Sequence, residues 1–193
     1  MITTEQIKEL RDQTGVSIMQ CKKALEEAGG DAEKALIILR KKSSEIAAKK
    51  TDRTLGAGAV ASYLHSTGTV GAMVLLSSET DFVSKNEEFR KLAYEIAMHV
   101  AATNPEFLSV ADIPEKIKTQ AAEVFEADTK GKPEDLKATI LEGKISAYFK
   151  DRVLLQQSYI KNPDITIQGL VDGAIQKFGE RIEVTKFVRF STS

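Results

Sequence analysis

An aspartate followed by a large aromatic stands where an apolar stretch of the chain ends. The stretch is Gly71-Ala72-Met73-Val74-Leu75-Leu76, and the residues beyond it are Thr80-Asp81-Phe82-Val83-Ser84-Lys85-Asn86. The apolar stretch reads as a strand, and the residues after Asn86 read as a helix. A turn at a strand end presents its side chains at the surface on a rigid mount. An acid and an aromatic ring at such a tip can probe a partner by contact, without making or breaking a bond. The same residues can also serve the fold alone, with Phe82 capping the core and Asp81 accepting turn amides. Residue types leave both readings open, and the second is the more economical.

Other chemistry has little to work with. His65 and His99 are the only histidines, and neither lies in a zinc-ligand spacing. His99 falls on an amphipathic helical pattern, where a packing or surface role is expected. Cys21 occupies an apolar helical position and reads as a small core residue. No GxxxxGK[ST] or GxGxxG pattern occurs, and Gly56-Ala57-Gly58 lacks the third glycine of the latter. The expectation is a chain with no catalytic residues, no metal, no cofactor and no nucleotide of its own, and so not an enzyme.

The 193 residues are 42% hydrophobic and 28% charged, with a formal net charge of -1. That composition suits a soluble globular protein with one ordinary core and a small appendage. A protein that lives by holding nucleic acid carries a basic excess, which is missing here, so no direct nucleic-acid partner is expected. The one basic stretch is Lys41, Lys42, Lys49, Lys50 and Arg53. It reads as a solvated helix tail, or else as a surface for an acidic partner or ribosomal RNA. No apolar run approaches the roughly 20 residues of a membrane span. The start, Met1-Ile2-Thr3-Thr4-Glu5, lacks the regions of a signal peptide. One cysteine makes no internal disulfide, so a reducing cytoplasm is the expected compartment.

The elements that must position the tip are legible from caps and periodicity. Thr3 and Gln6 form a capping box, with Ile2 and Ile7 as its hydrophobic staple. Ile7 and Leu10 line one face before Gly15 stops the helix. Ser17 with Gln20, Val16 with Cys21, and Gly29 repeat the scheme. Asp31 caps a third helix with Ala35, Leu36 and Leu39 inward. Its tail, through Lys49-Lys50, is too polar for core and is expected to lead into a linker. Thr51 to Gly58 carries little apolar content and two glycines, which places a domain boundary there. Residues 1–52 are then a three-helix unit and linker, and residues 53–193 a core domain.

The core opens with β-rich segments at Ala59–His65 and Thr69–Ser77 around Ser66-Thr67-Gly68, an antiparallel hairpin. Ser84 and Glu87 read as a capping box, starting the main helix near Lys85. Phe89, Leu92, Ala93, Ile96 and Val100 form its apolar face. Further helices are expected at about Pro114–Ala127, Pro133–Lys150 and Ile167–Phe178, the last capped by Thr166 and stopped by Gly179. Ile182, Val184, Val188 and Phe190 alternate with polar residues, apart from Phe187, as in a strand with one buried face. Three antiparallel strands with helices on one side make an α+β layer structure.

Several of these stretches, in this order, resemble the elongation factor Ts family, guanine nucleotide exchange factors for elongation factor Tu. Glu79 to Asn86 is similar to that family's central signature. Leu10-Arg11-Asp12-Gln13-Thr14-Gly15 with Cys21-Lys22-Lys23-Ala24-Leu25 is similar to its amino-terminal one. Glu142-Gly143-Lys144, Val153-Leu154-Leu155-Gln156-Gln157, Gly179-Glu180-Arg181-Ile182 and Phe187-Val188-Arg189-Phe190 resemble its carboxy-terminal part. Leu75, Ser77, Gln20 and Ser158-Tyr159 depart from common family residues without touching Thr80 to Val83.

The resemblance implies a ubiquitin-associated-like fold for the three-helix unit and a single core subdomain, the short form of the family. It implies elongation factor Tu, GDP-bound and nucleotide-free, as partner, and pairing of two chains into a homodimer. It implies that Asp81 and Phe82 disturb the partner's magnesium site, with Thr80 and Val83 shaping and anchoring the turn. Leu10, Arg11, Thr14 and Gly15 would belong to the amino-terminal contact. Two other readings remain: a protein-binding module without exchange activity, and a ribosome-associated protein using the three-helix head and the basic stretch.

Overall fold

Helix ends in the first fifty residues are written by side chains that satisfy otherwise orphaned amides. The computed structural model describes residues 2–129 and 133–192. Helix α1 (Thr4–Thr14) starts at a full capping box between Thr3 and Gln6 and stops at Gly15, whose φ is 66°. Helix α2 (Ile18–Glu27) is capped by Ser17, and α3 (Ala32–Ala48) by Asp31. Their inner faces meet in a small core of Leu10, Val16, Cys21, Ala24, Leu25, Ala35 and Leu39. Cys21 is fully buried, and that burial raises its thiol pKa.

The tail of α3 is not too polar for core, which corrects that part of the sequence reading. It docks before the chain passes on through residues 49–56. Ser43 donates to the Gln176 side chain, Ser44 Oγ donates to Asp172 Oδ2 at 2.7 Å, and Ile46 and Ala47 pack on the larger core. Hydroxyls paired with buried amide and carboxylate groups make this polar surface compatible with burial.

The sheet is three-stranded and antiparallel. It contains β1 (Ala57–Leu64), β2 (Val70–Ser78) and β5 (Ile182–Ser191), with β2 in the centre. Between β2 and β5 run a short helix α4 (Asp81–Ser84), the main helix α5 (Glu87–Thr103), the pair α6 (Glu115–Glu126) and α7 (Glu134–Lys150), a ribbon of β3 (Ser158–Tyr159) and β4 (Asn162–Thr166), and α8 (Ile167–Phe178). The mixed α+β class is as the sequence predicts. The ribbon has no counterpart in the sequence reading, because its strands are too short and polar to show periodicity.

Helices α5 and α8 cover one face of the sheet. Phe89, Ala93, Ile96, Ala97 and Val100 meet Ala72, Val74 and Leu76 of β2, with Ile167, Val171 and Ile175 beside them. A smaller core of Ile113, Ala121, Phe149 and Val153 holds α6 against α7.

Strand β5 does not keep one buried face along its length. Leu76 pairs with Val184 but Leu75 pairs with Lys186, so Thr185 is an extra residue in the ladder. A bulge of this kind reverses which residues point inward. Ile182 and Val184 are buried, then Phe187 packs on the core while Val188 and Phe190 turn outward. The other sheet face therefore carries exposed Val60, Leu64, Met73, Val188 and Phe190.

His99 is a core residue, fully buried. Its Nδ1 accepts from the Ile160 amide at 3.4 Å, so Nε2 carries the proton and donates to Gln157 Oε1 at 2.8 Å. Burial lowers its pKa, against a smaller opposite effect of the Gln157 bond.

A candidate partner-binding tip

The last residue of β2 and the two that follow it are held from several sides. Ser78 is fully buried and its hydroxyl donates to the Thr80 carbonyl at 3.0 Å. Glu79 Oε1 accepts from the Arg181 amide at 2.5 Å and from Arg53 at 3.1 Å. These two contacts, the amide bond first, hold the Glu79 carboxyl below the usual carboxylate range. Thr80 gives both its amide and its hydroxyl to the Glu180 carboxylate, at 3.0 and 2.5 Å.

From this base α4 makes one turn. The Lys85 amide donates to the Asp81 carbonyl and the Asn86 amide to that of Val83. Val83 is buried at 2% exposure and anchors the turn in the main core. Phe82 points the other way and is 84% exposed. Asp81 lies beside it with its side chain 72% exposed. The Lys85 ammonium bonds to the Asp81 carboxyl at 2.6 Å and lowers its pKa, so the tip carries an ionised acid at neutral pH. A water-exposed phenylalanine ring gains nothing for the monomer, and it is available for burial in a partner.

The expected box of Ser84 and Glu87 does not form. Ser84 is buried and its hydroxyl donates back to the Asp81 carbonyl at 3.3 Å. Asn86 caps α5 instead, accepting from the Glu88 amide at 2.8 Å. Ser84 faces inward, which leaves Asn86, two residues on, to cap the helix.

The residues singled out near the amino terminus have unlike surroundings. Leu10 is core. Thr14 Oγ1 donates to the Leu10 carbonyl at 2.7 Å and accepts from the Val16 amide, closing α1. Gly15 is left-handed, and a Cβ there would lie 3.1 Å from Lys177 Nζ on α8. Arg11 has an exposed side chain. Only Arg11 of the four offers its side chain freely to solvent, while the other three shape the corner around it.

The basic stretch is partly spent within the chain. Lys42 pairs with Glu27 at 2.6 Å, Lys50 donates to the Gly179 carbonyl, and Arg53 pairs with Glu79. Among the described residues no His, Cys, Asp and Glu cluster is arranged to hold a metal ion. No helix among them is long and apolar enough to cross a membrane. Sequence reasoning missed Ser78, Glu180 and Arg181 as supports of the tip. Gly179-Glu180-Arg181 stood in a motif, but its proximity to Thr80 across 100 positions had no local signal.

Comparison with known proteins points one way. The family model described as "Elongation factor TS" matches residues 5–193. A protein of Carboxydothermus hydrogenoformans named "Elongation factor Ts" is 44% identical over 192 residues, covering 98% of this chain and 88% of its own length. One of the same name from Thermodesulfovibrio yellowstonii is 45% identical over 190 residues, covering 98% and 95%. Another from Thermosipho melanesiensis is 42% identical over 193 residues, covering 99% and 98%.

Proposed function

The chain belongs to the elongation factor Ts family, and from that premise we propose that it is a guanine nucleotide exchange factor promoting GDP release from elongation factor Tu. The observation that carries this reading is the Phe82 ring, 84% exposed next to an ionised Asp81 on a turn pinned at both ends. The factor binds the empty GTPase better than the loaded one. Linkage is reciprocal, so a factor that weakens GDP binding is itself weakened by GDP to the same extent. GDP leaves faster, and fresh GTP displaces the factor. No covalent bond changes.

In the GTPase, phosphate contacts and a magnesium ion hold the nucleotide, and that ion demands a near-ideal octahedral oxygen shell. Phe82 wedges between partner side chains near that site, and Asp81 disturbs the ion's surroundings. Burying a phenylalanine contributes roughly 1.5–3 kcal/mol. Each tenfold in GDP affinity corresponds to about 1.4 kcal/mol. The ring therefore supplies one or two powers of ten, and contacts elsewhere hold the opened GTPase. The corner around Arg11, shaped by Leu10, Thr14 and Gly15, is one such contact. Residues 1–52 and 53–193 are the two units that grip the partner. The test is release of fluorescent GDP from loaded elongation factor Tu by catalytic amounts of the chain. Acceleration is expected, and release at the spontaneous rate would overturn the reading.

The short form acts as a homodimer in this proposal. The open sheet face supports it: Leu64 and Phe190 are each 70% exposed, with Val60, Met73 and Val188 between and beside them. A contiguous apolar face on a sheet invites a second sheet. Light scattering after size exclusion should give twice the chain mass, and Phe190→Glu should give the chain mass. A wild-type monomer at micromolar concentration would exclude this pairing.

A further inference from the structure

We infer that Glu180 is the positioning residue of the tip, its carboxylate setting the direction in which Phe82 and Asp81 project. The consequence for exchange rests on the function proposed above, whereas the cause rests on geometry.

Helix α4 has four residues, too few to stabilise itself by its own hydrogen bonds. An N-cap hydroxyl would ordinarily help by accepting a first-turn amide. Thr80 is the N-cap, yet its side chain makes no capping bond. That hydroxyl donates at 2.5 Å to Glu180 Oε1, and the Thr80 amide donates at 3.0 Å to Oε2. One carboxylate thus grips the backbone and the side chain of the same residue, and charge-assisted bonds of this kind are the stronger class. The buried Ser78 hydroxyl holds the Thr80 carbonyl from the other side. Val83 fixes the far end of the turn in the core. Asp81 and Phe82 are the two residues between these anchors, and both are exposed.

Glu180 is itself well placed to act as a fixed post. It follows Gly179, which ends α8 with a φ of 73°. It precedes Arg181, whose amide bonds to Glu79 and whose guanidinium reaches the Arg53 carbonyl at 2.6 Å and Glu183 at 2.5 Å. The turn between α8 and β5 is therefore tied to the linker and to the end of β2 on either side of the grip. Both bonds of the grip lie at the exposed surface, so its loss touches orientation more than overall stability. Orientation is where a wedge is sensitive, since a displacement of about 1 Å can cost on the order of a hundredfold in rate.

Two readouts test this on the full-length protein with Glu180→Ala and Glu180→Gln. The first is amide hydrogen exchange of the free chain. Glu180→Ala should lose protection from Thr80 to Asn86 while the α5 and β2 amides keep theirs, and Glu180→Gln, which retains one acceptor, should lose less. Unchanged protection at the tip would overturn the proposal whatever the protein's function. The second is GDP release from the GTPase partner. At saturating factor, Glu180→Ala should slow release about three- to tenfold, with the half-saturating concentration little moved. In an Asp81→Ala, Phe82→Ala background it should cost nothing more. Losses that multiply in the triple variant would show that Glu180 acts apart from these two side chains, against the proposal. A Phe82→Ala protein with normal release would instead overturn the wedge reading, and hydrogen exchange would still decide the role of Glu180.

Discussion

Phe82 and Phe89 stand seven residues apart and occupy opposite extremes of the molecule. Phe89 is fully buried, with its ring edge-to-face on Phe178 at 6.2 Å between centroids. Phe82 is almost wholly in solvent. Both follow acidic residues within two positions and both lie in helical backbone. The difference lies in the element that carries each. Phe89 begins an apolar face that continues through Ala93, Ile96 and Val100 on a 17-residue helix laid on a sheet. Phe82 rides on a four-residue turn anchored in the core by Val83. A long element can turn its whole stripe to the core, whereas this single turn buries Val83 and Ser84 and leaves Asp81 and Phe82 outside. The same side chain is thus a packing unit in one place and a free contact surface in the other.

The largest effect expected from this comparison is on stability. Phe89→Ala should destabilise the chain by about 3–5 kcal/mol, because the surrounding helices and sheet cannot close on the space left behind. Thermal or denaturant unfolding measures it, and a loss under about 1 kcal/mol would mean that the two rings are less different than their exposures imply. Phe82→Ala should do the reverse. Its unfolding free energy should stay within about 0.5 kcal/mol of wild type. Its acceleration of GDP release should fall by about tenfold or more, following the roughly 1.5–3 kcal/mol of ring burial it forgoes. A fall in binding affinity with no change in maximal release rate would recast the ring as an adhesive contact.

The smallest effect concerns acid. The tip's carboxyl and the core's imidazole respond in opposite places. Lys85 holds Asp81 below the usual carboxylate range, so the tip keeps its charge through mild acid. His99 has a lowered pKa in the folded chain. Below its unfolded value of about 6.5, the unfolded chain binds a proton that the folded one resists. Unfolding then takes up protons, and stability falls as pH drops through that value toward the folded pKa. Protonated His99 would also set an Nδ1–H against the Ile160 amide, donor against donor. Melting temperature should therefore fall between neutral pH and pH 5 in wild type, and fall less in His99→Gln. Parallel curves for the two proteins would assign the acid sensitivity elsewhere.

Much of the scaffold was legible because it is local. Thr3, Ser17, Asp31 and Thr166 cap the helices they were expected to cap, and Gly15 and Gly179 end theirs in left-handed backbone. The hairpin and the apolar face of α5 accord with periods of two and of 3.6. Three features escaped the same reasoning. Thr185 sits as an extra residue opposite β2, and only pairing reveals that it sends Phe190 outward. Ser43 looks like a solvent-facing residue until Gln176 comes against it and it is buried. Ser84 resembles a cap in sequence, but the turn it belongs to draws its hydroxyl inward.

The tip divides along the same line. Its residue types, its place after a strand and its likeness to a family signature were all in the chain as written, because caps, turns and stripes are settled by groups a few positions apart. Whether Phe82 would face solvent or core was not, since burial depends on which distant segments arrive to cover a side chain. Nor could one see that a carboxylate 100 positions away would seize Thr80 and hold the turn. Only folding brings Ser78, Thr80, Val83 and Glu180 together, and that convergence leaves one aromatic ring mounted rigidly in water.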